Sequence, residues 1–105
     1  MELLLKEDFE SELSLKIEES VTHLKRYKVL LLNDDYTSMD FVVDILMDVF
    51  NHPLDSSINI MLAIHKNGRA VGGVYTYEVA ETKISQVASK AKESKYPLKA
   101  IMEEE

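Results

Sequence analysis

Cysteine is absent from this chain of 105 residues, which excludes disulfides and thiolate metal sites and is typical of proteins from a reducing compartment. Glycine and proline are scarce, at 3 and 2 residues, and no collagen-like or low-complexity segment is present. Long hydrophobic runs are absent too, because Leu3–Leu5 is followed at once by Lys6, Glu7 and Asp8. That run is too short for a signal peptide or a membrane span. The sequence therefore predicts one small cytoplasmic domain with no membrane partner.

Basic residues are also few. The chain has 12 Lys and Arg against 19 Asp and Glu, a formal net charge of −7, which argues against nucleic acid or anionic lipid as a partner and favours cationic ligands. Residues 29–65 contain no Lys or Arg. This stretch carries six aspartates: Asp34, Asp35, Asp40, Asp44, Asp48 and Asp55. They are interpreted either as turn residues with a solvated helix face, or as the negative field of a binding site.

The first 25 residues differ from the remainder of the chain. Residues 1–20 carry seven acidic side chains against Lys6 and Lys16. Their apolar side chains recur at every fourth position and form a narrow helical stripe, which consists of Leu5, Phe9, Leu13 and Ile17. Because so thin a stripe buries little surface, residues 1–25 are predicted to be a mobile N-terminal extension, and residues 26–105 a core domain.

Three short segments of the core domain favour β-strands. The apolar run over 27–32 ends at the turn-forming residues Asn33–Asp35, and further strands are expected over 69–75 and 98–103. Gly72 and Gly73 in the second strand predict a close approach by another backbone or by a ligand.

Three helices are predicted between these strands. The first runs over about 38–51 behind a capping box formed by Thr37 and Asp40. The second runs from a cap at Asp55 or Ser56 to Gly68, and the third from Thr76 to the Tyr96–Pro97 break. The order is β-α-α-β-α-β. It predicts an α+β fold with one compact domain, in which three helices accompany a three-stranded, mostly antiparallel sheet.

A histidine falls on the apolar stripe predicted for the second helix. The stripe follows the spacing i, i+3, i+4 and i+7 and consists of Ile58, Met61, Leu62 and His65. A core histidine with its hydrogen bonds satisfied inside the protein is one interpretation. The other is a hollow between two helices, shared by His65, Asn33–Asp35, Met39 and Val42. Met39 and Val42 are three residues apart, as are Met61 and Ile64, so the members of each pair can point the same way from their helix. Such a pocket would hold a primary ammonium at its mouth and an unbranched or aromatic side chain inside.

Catalytic and metal-binding motifs are not found. A calcium loop starting at Asn33 would have Ser38 at its glycine position and Met39 and Phe41 at ligand positions, so it fails. Asp35 and His65 could act as acid or base, but the sequence specifies no nucleophile and has no phosphate loop, nucleophile elbow or HExxH motif. The sequence therefore predicts a protein that is not an enzyme and that uses no cofactor or metal.

Three segments of the chain together resemble the ClpS family, bacterial adaptors that deliver N-degron substrates to the Clp protease. These segments are Tyr27–Val42, with the sequence YKVLLLNDDYTSMDFV, Met61–His65, with MLAIH, and Gly73–Lys83, with GVYTYEVAETK. The resemblance covers residues 27–102 in matching order and spacing. It implies a compact adaptor without catalytic activity that binds the free α-amino group and the bulky hydrophobic first residue (Leu, Phe, Tyr or Trp) of a substrate protein.

The resemblance also implies residue roles. Asn33 and His65 would hydrogen-bond the α-ammonium, Asp35 would assist through water, and Asp34 would add charge nearby. Met39 would exclude β-branched first residues. The side-chain pocket as a whole would be lined by Thr37, Met39, Val42, Met61, Ile64 and Leu98.

A second surface is implied by the same resemblance. Glu78 and Lys83 match positions that dock on the N-terminal domain of a ClpA-type AAA+ unfoldase, although an ordinary exposed helix face would look the same. The alternative function is a non-catalytic interaction domain that docks through its acidic helix face and has no pocket for an N-terminal residue. No large exposed apolar helix face is predicted, so the chain is expected to be a monomer.

Overall fold

The computed structural model describes residues 25–105. The predicted N-terminal extension therefore lies outside the described residues, except for Lys25. The elements, in chain order, are β1 (Tyr27–Leu32), α1 (Met39–Asp48), α2 (Leu54–Asn67), β2 (Arg69–Tyr75), α3 (Tyr77–Glu93) and β3 (Lys99–Glu104). The predicted order and the α+β class are confirmed.

The sheet has β1 at its centre, in the order β2-β1-β3, and both strand pairs are antiparallel. Because side chains alternate along a strand, Val29 and Leu31 point to the helices and are 0% exposed. Leu30 lies on the opposite face, in register with Val71 on one side and Ile101 on the other. One face of the sheet is thus covered by helices.

The core between sheet and helices is aliphatic. From α1 it receives Val42, Ile45 and Leu46, and the small side chains of Ala80 and Ala91 let α3 lie close to the strands. Each fully buried aliphatic side chain contributes about 1.5–3 kcal/mol relative to exposure. The first and third helices are therefore held mainly by this burial. Among residues 25–105, no helix is both long and apolar enough to cross a membrane.

The capping box predicted at Thr37 and Asp40 is wrong. The N-cap of α1 is Ser38, whose side-chain oxygen accepts a hydrogen bond from the backbone N–H of Phe41 at 3.1 Å. Thr37 is engaged by Asp34 instead. The helix is also shorter than predicted and ends at Asp48, because the backbone reaches the left-handed region at Asn51, with φ 58°.

Two further helix ends differ from the prediction. The N-cap of α2 is Pro53 rather than Asp55 or Ser56, and Asp55 lies in the first helical turn, where a carboxylate favours the helix dipole. The C-terminal stop at Gly68, with φ 87°, is as predicted. Thr76 is the N-cap of α3, as predicted, but the helix ends at Glu93, before the Tyr96–Pro97 step.

The apolar stripe predicted for α2 is displaced on the helix. Ser57 and Ile64 are the buried residues, whereas Ile58 and Leu62 are 36% and 50% exposed. His65 is exposed as well. The interpretation of His65 as a core histidine is therefore wrong, and its imidazole is available at the surface.

Gly72 and Gly73 allow aromatic side chains to pack against the backbone of β2. A Cβ atom at Gly72 would lie 3.0 Å from the ring of Phe50, and one at Gly73 would collide with the side chain of Tyr75. The predicted close approach exists, but aromatic side chains make it rather than a backbone or a ligand. His52 lies at the same place, and its Nε2 donates to the carbonyl oxygen of Gly72 at 2.5 Å.

Candidate functional site

The loop between β1 and α1 is organised by Asp34. Its Oδ1 accepts hydrogen bonds from the backbone N–H groups of Tyr36 at 2.9 Å and Thr37 at 2.7 Å. Its Oδ2 accepts from the hydroxyl of Thr37, also at 2.7 Å. This is the turn geometry that aspartate favours. It fixes the backbone between the end of β1 and Met39, the first residue of α1.

Burial and hydrogen bonding act oppositely on the Asp34 carboxyl. Partial burial raises the pKa of Asp34, but the hydrogen bonds from Thr37 and Tyr36 stabilise the charged form, and the pKa lies below its ordinary value of 3.8. The carboxylate is therefore charged at neutral pH while its oxygens serve the loop.

A second contact joins this loop to the end of α2. The backbone N–H of Asn33 donates to the carbonyl oxygen of Gly68 at 2.8 Å. Gly68 is the left-handed residue that terminates α2, and His65 lies in the last turn of the same helix. The turn after β1 and the C-terminal end of α2 therefore meet at one end of the sheet, where β1 ends and β2 begins.

A cavity of about 230 Å³ opens at this end of the sheet, between α1 and α2. Its apolar walls come from Met39 and Val42 on α1 and from Met61 and Ile64 on α2. Val42 and Ile64 are 7% and 2% exposed and form the floor, while Met39 is 47% exposed and stands at the mouth. The polar part of the lining is made by Asn33, Asp34, Asp35, Thr37 and His65.

The structure thus brings nine of the ten predicted pocket residues around one cavity. The exception is Leu98, which is 4% exposed and packs in the hydrophobic core. It does not line the cavity, so the prediction that Leu98 is a pocket residue is wrong. No cavity-lining residue escaped the sequence prediction, although Thr37 was named only through the family resemblance. What the nine residues bind stays a prediction.

The cavity is suited to one kind of ligand. Cavities for drug-sized molecules are about 300–1,000 Å³, so a volume of about 230 Å³ fits a single amino-acid side chain. Its mouth presents the amide of Asn33, the imidazole of His65 and the carboxylate of Asp35, which are groups able to accept hydrogen bonds from an ammonium group. The hydroxyl of Thr37 donates to Asp34 and is not held as a nucleophile. Within the described part of the chain, no group of three or more potential ligands is placed to hold a metal ion.

The two predicted docking residues lie in different surroundings. Glu78 is exposed in the first turn of α3. Lys83 is half-buried, and its Nζ donates to the carbonyl oxygen of Val49 at 2.7 Å. The two side chains therefore do not form one exposed pair.

An antiparallel three-stranded sheet, covered on one face by helices and with a small amphipathic cavity at one end, defines a small domain of the α+β class with a candidate ligand site. The family model described as ATP-dependent Clp protease adaptor protein ClpS matches residues 22–101. The chain belongs to the ClpS family.

Individual relatives agree with this membership. An ATP-dependent Clp protease adapter protein ClpS from Wolinella succinogenes is 55% identical over 97 residues, which cover 92% of this chain and 93% of that protein. The one from Escherichia coli O127:H6 is 42% identical over 96 residues, 91% of each chain. The structure of Agrobacterium tumefaciens ClpS2 bound to L-phenylalaninamide matches with a TM-score of 0.75 and 41% identity, and covers 77% of this chain and 98% of that one.

Proposed function

We propose that this chain is a protease adaptor that binds the free α-amino group and bulky hydrophobic first residue of N-degron substrates. The observation that carries the proposal is the cavity, which has an apolar floor and a hydrogen-bonding, acidic mouth. L-phenylalaninamide, bound by the related ClpS2, is an amino acid with a free ammonium, a neutral carbonyl group and an aromatic side chain. These are the features of the first residue of a peptide.

The α-ammonium is assigned to the exposed polar groups at the mouth. Asn33 and His65 stand on opposite sides of the contact that joins the loop to α2, and each has an acceptor atom for an N–H donor. Asp35 is exposed and adds a carboxylate. Asp34 contributes its charge but not its oxygens, since these accept hydrogen bonds from Thr37 and Tyr36.

The first side chain is assigned to the apolar part of the cavity. Val42 and Ile64 form a floor that an unbranched or aromatic side chain can reach. Met39, half-exposed at the mouth, is proposed to obstruct side chains that branch at Cβ. The specificity expected from this shape is for Leu, Phe, Tyr and Trp over Val and Ile.

Delivery is assigned to other parts of the chain. The N-terminal half of α3, with Glu78 exposed at its first turn, is proposed to dock on the N-terminal domain of a ClpA-type AAA+ unfoldase. The extension is proposed to engage the unfoldase while that face is docked, which raises the effective concentration of the substrate near the machine. Deletion of residues 1–24 should leave peptide affinity within about twofold and abolish stimulated degradation. Full degradation by the deletion variant would contradict this role.

The binding step is tested by titrating one peptide in two forms. A peptide that begins with unblocked Leu should bind, and the same peptide with an acetylated N-terminus should not, because acetylation removes the charge and the donors. A Leu-to-Glu change at the first position of the free peptide provides the control for the apolar cavity. Equal binding of the free and acetylated forms would overturn the proposal and favour the alternative, docking through the acidic face of α1.

A further inference from the structure

One face of the sheet points away from the helices and has no cover within residues 25–105. All three helices contribute side chains to the core on the other face, which contains Val29 and Leu31. Residues opposite one another on antiparallel strands point to the same face, so the register identifies the remaining side chains. This surface, the open face, consists of Lys28, Leu30 and Leu32 of β1, Arg69, Val71 and Val74 of β2, and Lys99, Ile101 and Glu103 of β3.

The centre of the open face is aliphatic. Leu30 lies between Val71 and Ile101 and is itself 6% exposed, whereas its two neighbours are 37% and 36% exposed. Leu32 and Val74 extend this group along the strands. Aliphatic side chains that are contiguous at the surface, unlike those that are scattered singly, are a feature of interaction sites.

The margin of the open face is basic, although the chain as a whole has a net charge of −7. Three cations, Lys28, Arg69 and Lys99, stand against one anion, Glu103. Arg69 and Glu103 form an ion pair across the sheet, with Nη1 3.1 Å from Oε1. Lys28 and Lys99 form no ion pair with any of the residues that the structure describes. The open face therefore favours a partner that is both apolar and acidic.

Residues 1–24 of the same chain have this chemistry. They carry seven acidic side chains against Lys6 and Lys16, and their apolar stripe runs from Leu5 to Ile17. In a helix, the twelve steps between these two residues span about 18 Å. A strand of six residues, the length of β1, spans about 20 Å. The stripe thus matches the open face in length as well as in polarity.

We propose that residues 1–24 cover the open face, with the apolar stripe on its aliphatic centre and acidic side chains beside Lys28 and Lys99. The segment is joined to β1 through Lys25 and Arg26, so the contact forms at the high effective concentration of a tethered partner. One consequence rests on the proposed function. An extension that covers the open face is not offered to the unfoldase, so this contact competes with delivery.

Paramagnetic relaxation in the full chain tests the contact. The chain has no cysteine, so Ser11→Cys provides a single attachment site for a nitroxide, off the apolar stripe. The methyl resonances of Val71 and Ile101 should be broadened more strongly than those of Leu54 and Leu62, which are exposed on α2. Equal broadening of the two groups, or no broadening of either, would overturn the proposal.

Charge variants with matched controls test the basic margin. Lys28→Glu combined with Lys99→Glu should lower the ratio of covered to uncovered chains about twofold to tenfold, as expected for the loss of two exposed ion pairs. Lys90→Glu combined with Lys92→Glu, at exposed positions of α3, makes the same change in net charge and should leave the broadening unchanged. Equal broadening in the two double variants, both with the methyl dispersion of a folded chain, would overturn the proposal.

A second matched pair tests the apolar stripe. Leu13→Ser, on the stripe, should reduce the broadening of Val71 and Ile101, whereas Leu15→Ser, off the stripe, should not. The two substitutions remove the same side chain from the same segment, so they differ only in position. Equal broadening in the two variants would contradict the assignment of the stripe to the open face.

A mixed sample separates this proposal from a second copy as the occupant. Spin-labelled chains without isotope are mixed with isotope-labelled chains of unchanged sequence, and the broadening should then disappear because the contact lies within one chain. Broadening that persists would mean that a second copy covers the face, and would overturn the proposal. Stimulated degradation should rise when Lys28→Glu and Lys99→Glu uncover the extension. An unchanged rate would contradict its role in delivery alone, since the broadening in the free chain decides the contact.

Discussion

The cavity and the corner where α1, β2 and α3 meet use polar groups in opposite ways. At the cavity, Asn33, Asp35 and His65 are exposed around an apolar floor. At the corner, Lys83 and His52 are half-buried, and each donates to a backbone carbonyl oxygen. The comparison teaches that charge or polarity alone does not distinguish a binding residue from a structural one. The distinction depends on whether the fold already uses the hydrogen-bonding capacity of the group.

The largest expected effect is on peptide affinity, from substitution of an exposed polar residue at the cavity. His65→Ala should weaken binding of a free Leu-initiated peptide about tenfold to a hundredfold, because one hydrogen bond to a charged group is lost. The free energy of unfolding should change little, since His65 is exposed. Isothermal titration and chemical denaturation of the same variant measure the two quantities. A variant that loses stability and affinity together would place His65 with the structural group.

A substitution at the corner where α1, β2 and α3 meet should have the opposite result, a loss of stability without a loss of affinity. Gly72→Val should lower the free energy of unfolding by about 1–3 kcal/mol, because a Cβ there would lie 3.0 Å from the Phe50 ring. Peptide affinity of the folded fraction should be preserved, since Gly72 does not line the cavity. Denaturation curves give the stability, and titration below the transition gives the affinity. A stable variant that no longer binds would show that the corner and the cavity are not separable.

A third variant, Met39→Ala, changes specificity rather than the presence of binding. Shortening the side chain at the mouth should raise the affinity for peptides that begin with Val relative to those that begin with Leu. The expected change is about 1–3 kcal/mol, the contribution of a methyl or methylene group in an apolar pocket. Competition between the two peptides measures the ratio directly. Met47→Ala, at an exposed position of the same helix, is the control. An unchanged Val-to-Leu ratio would remove Met39 from the specificity determinants.

The smallest expected effect comes from the bond between Thr37 and Asp34. Asp34 lines the cavity, like the exposed polar residues, but its oxygens are already bonded within the loop, like the polar residues at the corner. Its pKa is lowered in the folded state, so its contribution to stability is present above the unfolded-state pKa and is lost as pH falls through the folded-state pKa. Thr37→Val should lower the free energy of unfolding at neutral pH by about 0.5–1.5 kcal/mol.

The pH dependence separates this effect from simple packing. Protonation of Asp34 weakens its hydrogen bond with the Thr37 hydroxyl in the wild-type chain. The difference in free energy of unfolding between the wild-type chain and Thr37→Val should therefore narrow as pH falls below 3.8, the ordinary pKa of aspartate. Denaturation series at several pH values measure it. A difference that is constant with pH would mean that the carboxylate is not what the Thr37 hydroxyl stabilises.

Much of the fold could be predicted because strand runs, turn residues and Gly68 each give a local signal. The orientation of α2 could not, since aliphatic residues occupy two of its faces. Ile58 and Leu62 fit the helical spacing as well as Ile64 does, and only packing selects the latter. The cap of α1 failed for a similar reason: Thr37 and Ser38 are both good caps, and Asp34 engages the first.

The candidate site was predictable to a different degree at each residue. The pocket shared by Asn33, Met39 and His65 followed from residue spacing and turn chemistry. The prediction that Thr37 lines this pocket came only from the family resemblance. The contact of Lys83 with Val49 joins residues 34 positions apart, and no local pattern specifies it. Leu98 was named only through the family resemblance, and the structure places it in the hydrophobic core instead.

The hydrogen bond from Asn33 to the carbonyl oxygen of Gly68 has a kinetic consequence. It joins the loop after β1 to the last turn of α2 through backbone atoms alone, so the two sides of the cavity mouth are held together before any ligand arrives. A rim that is already assembled has little ordering entropy to lose on binding. First residues of different shape should then associate at similar rates, and their affinities should differ mainly in how long each remains bound.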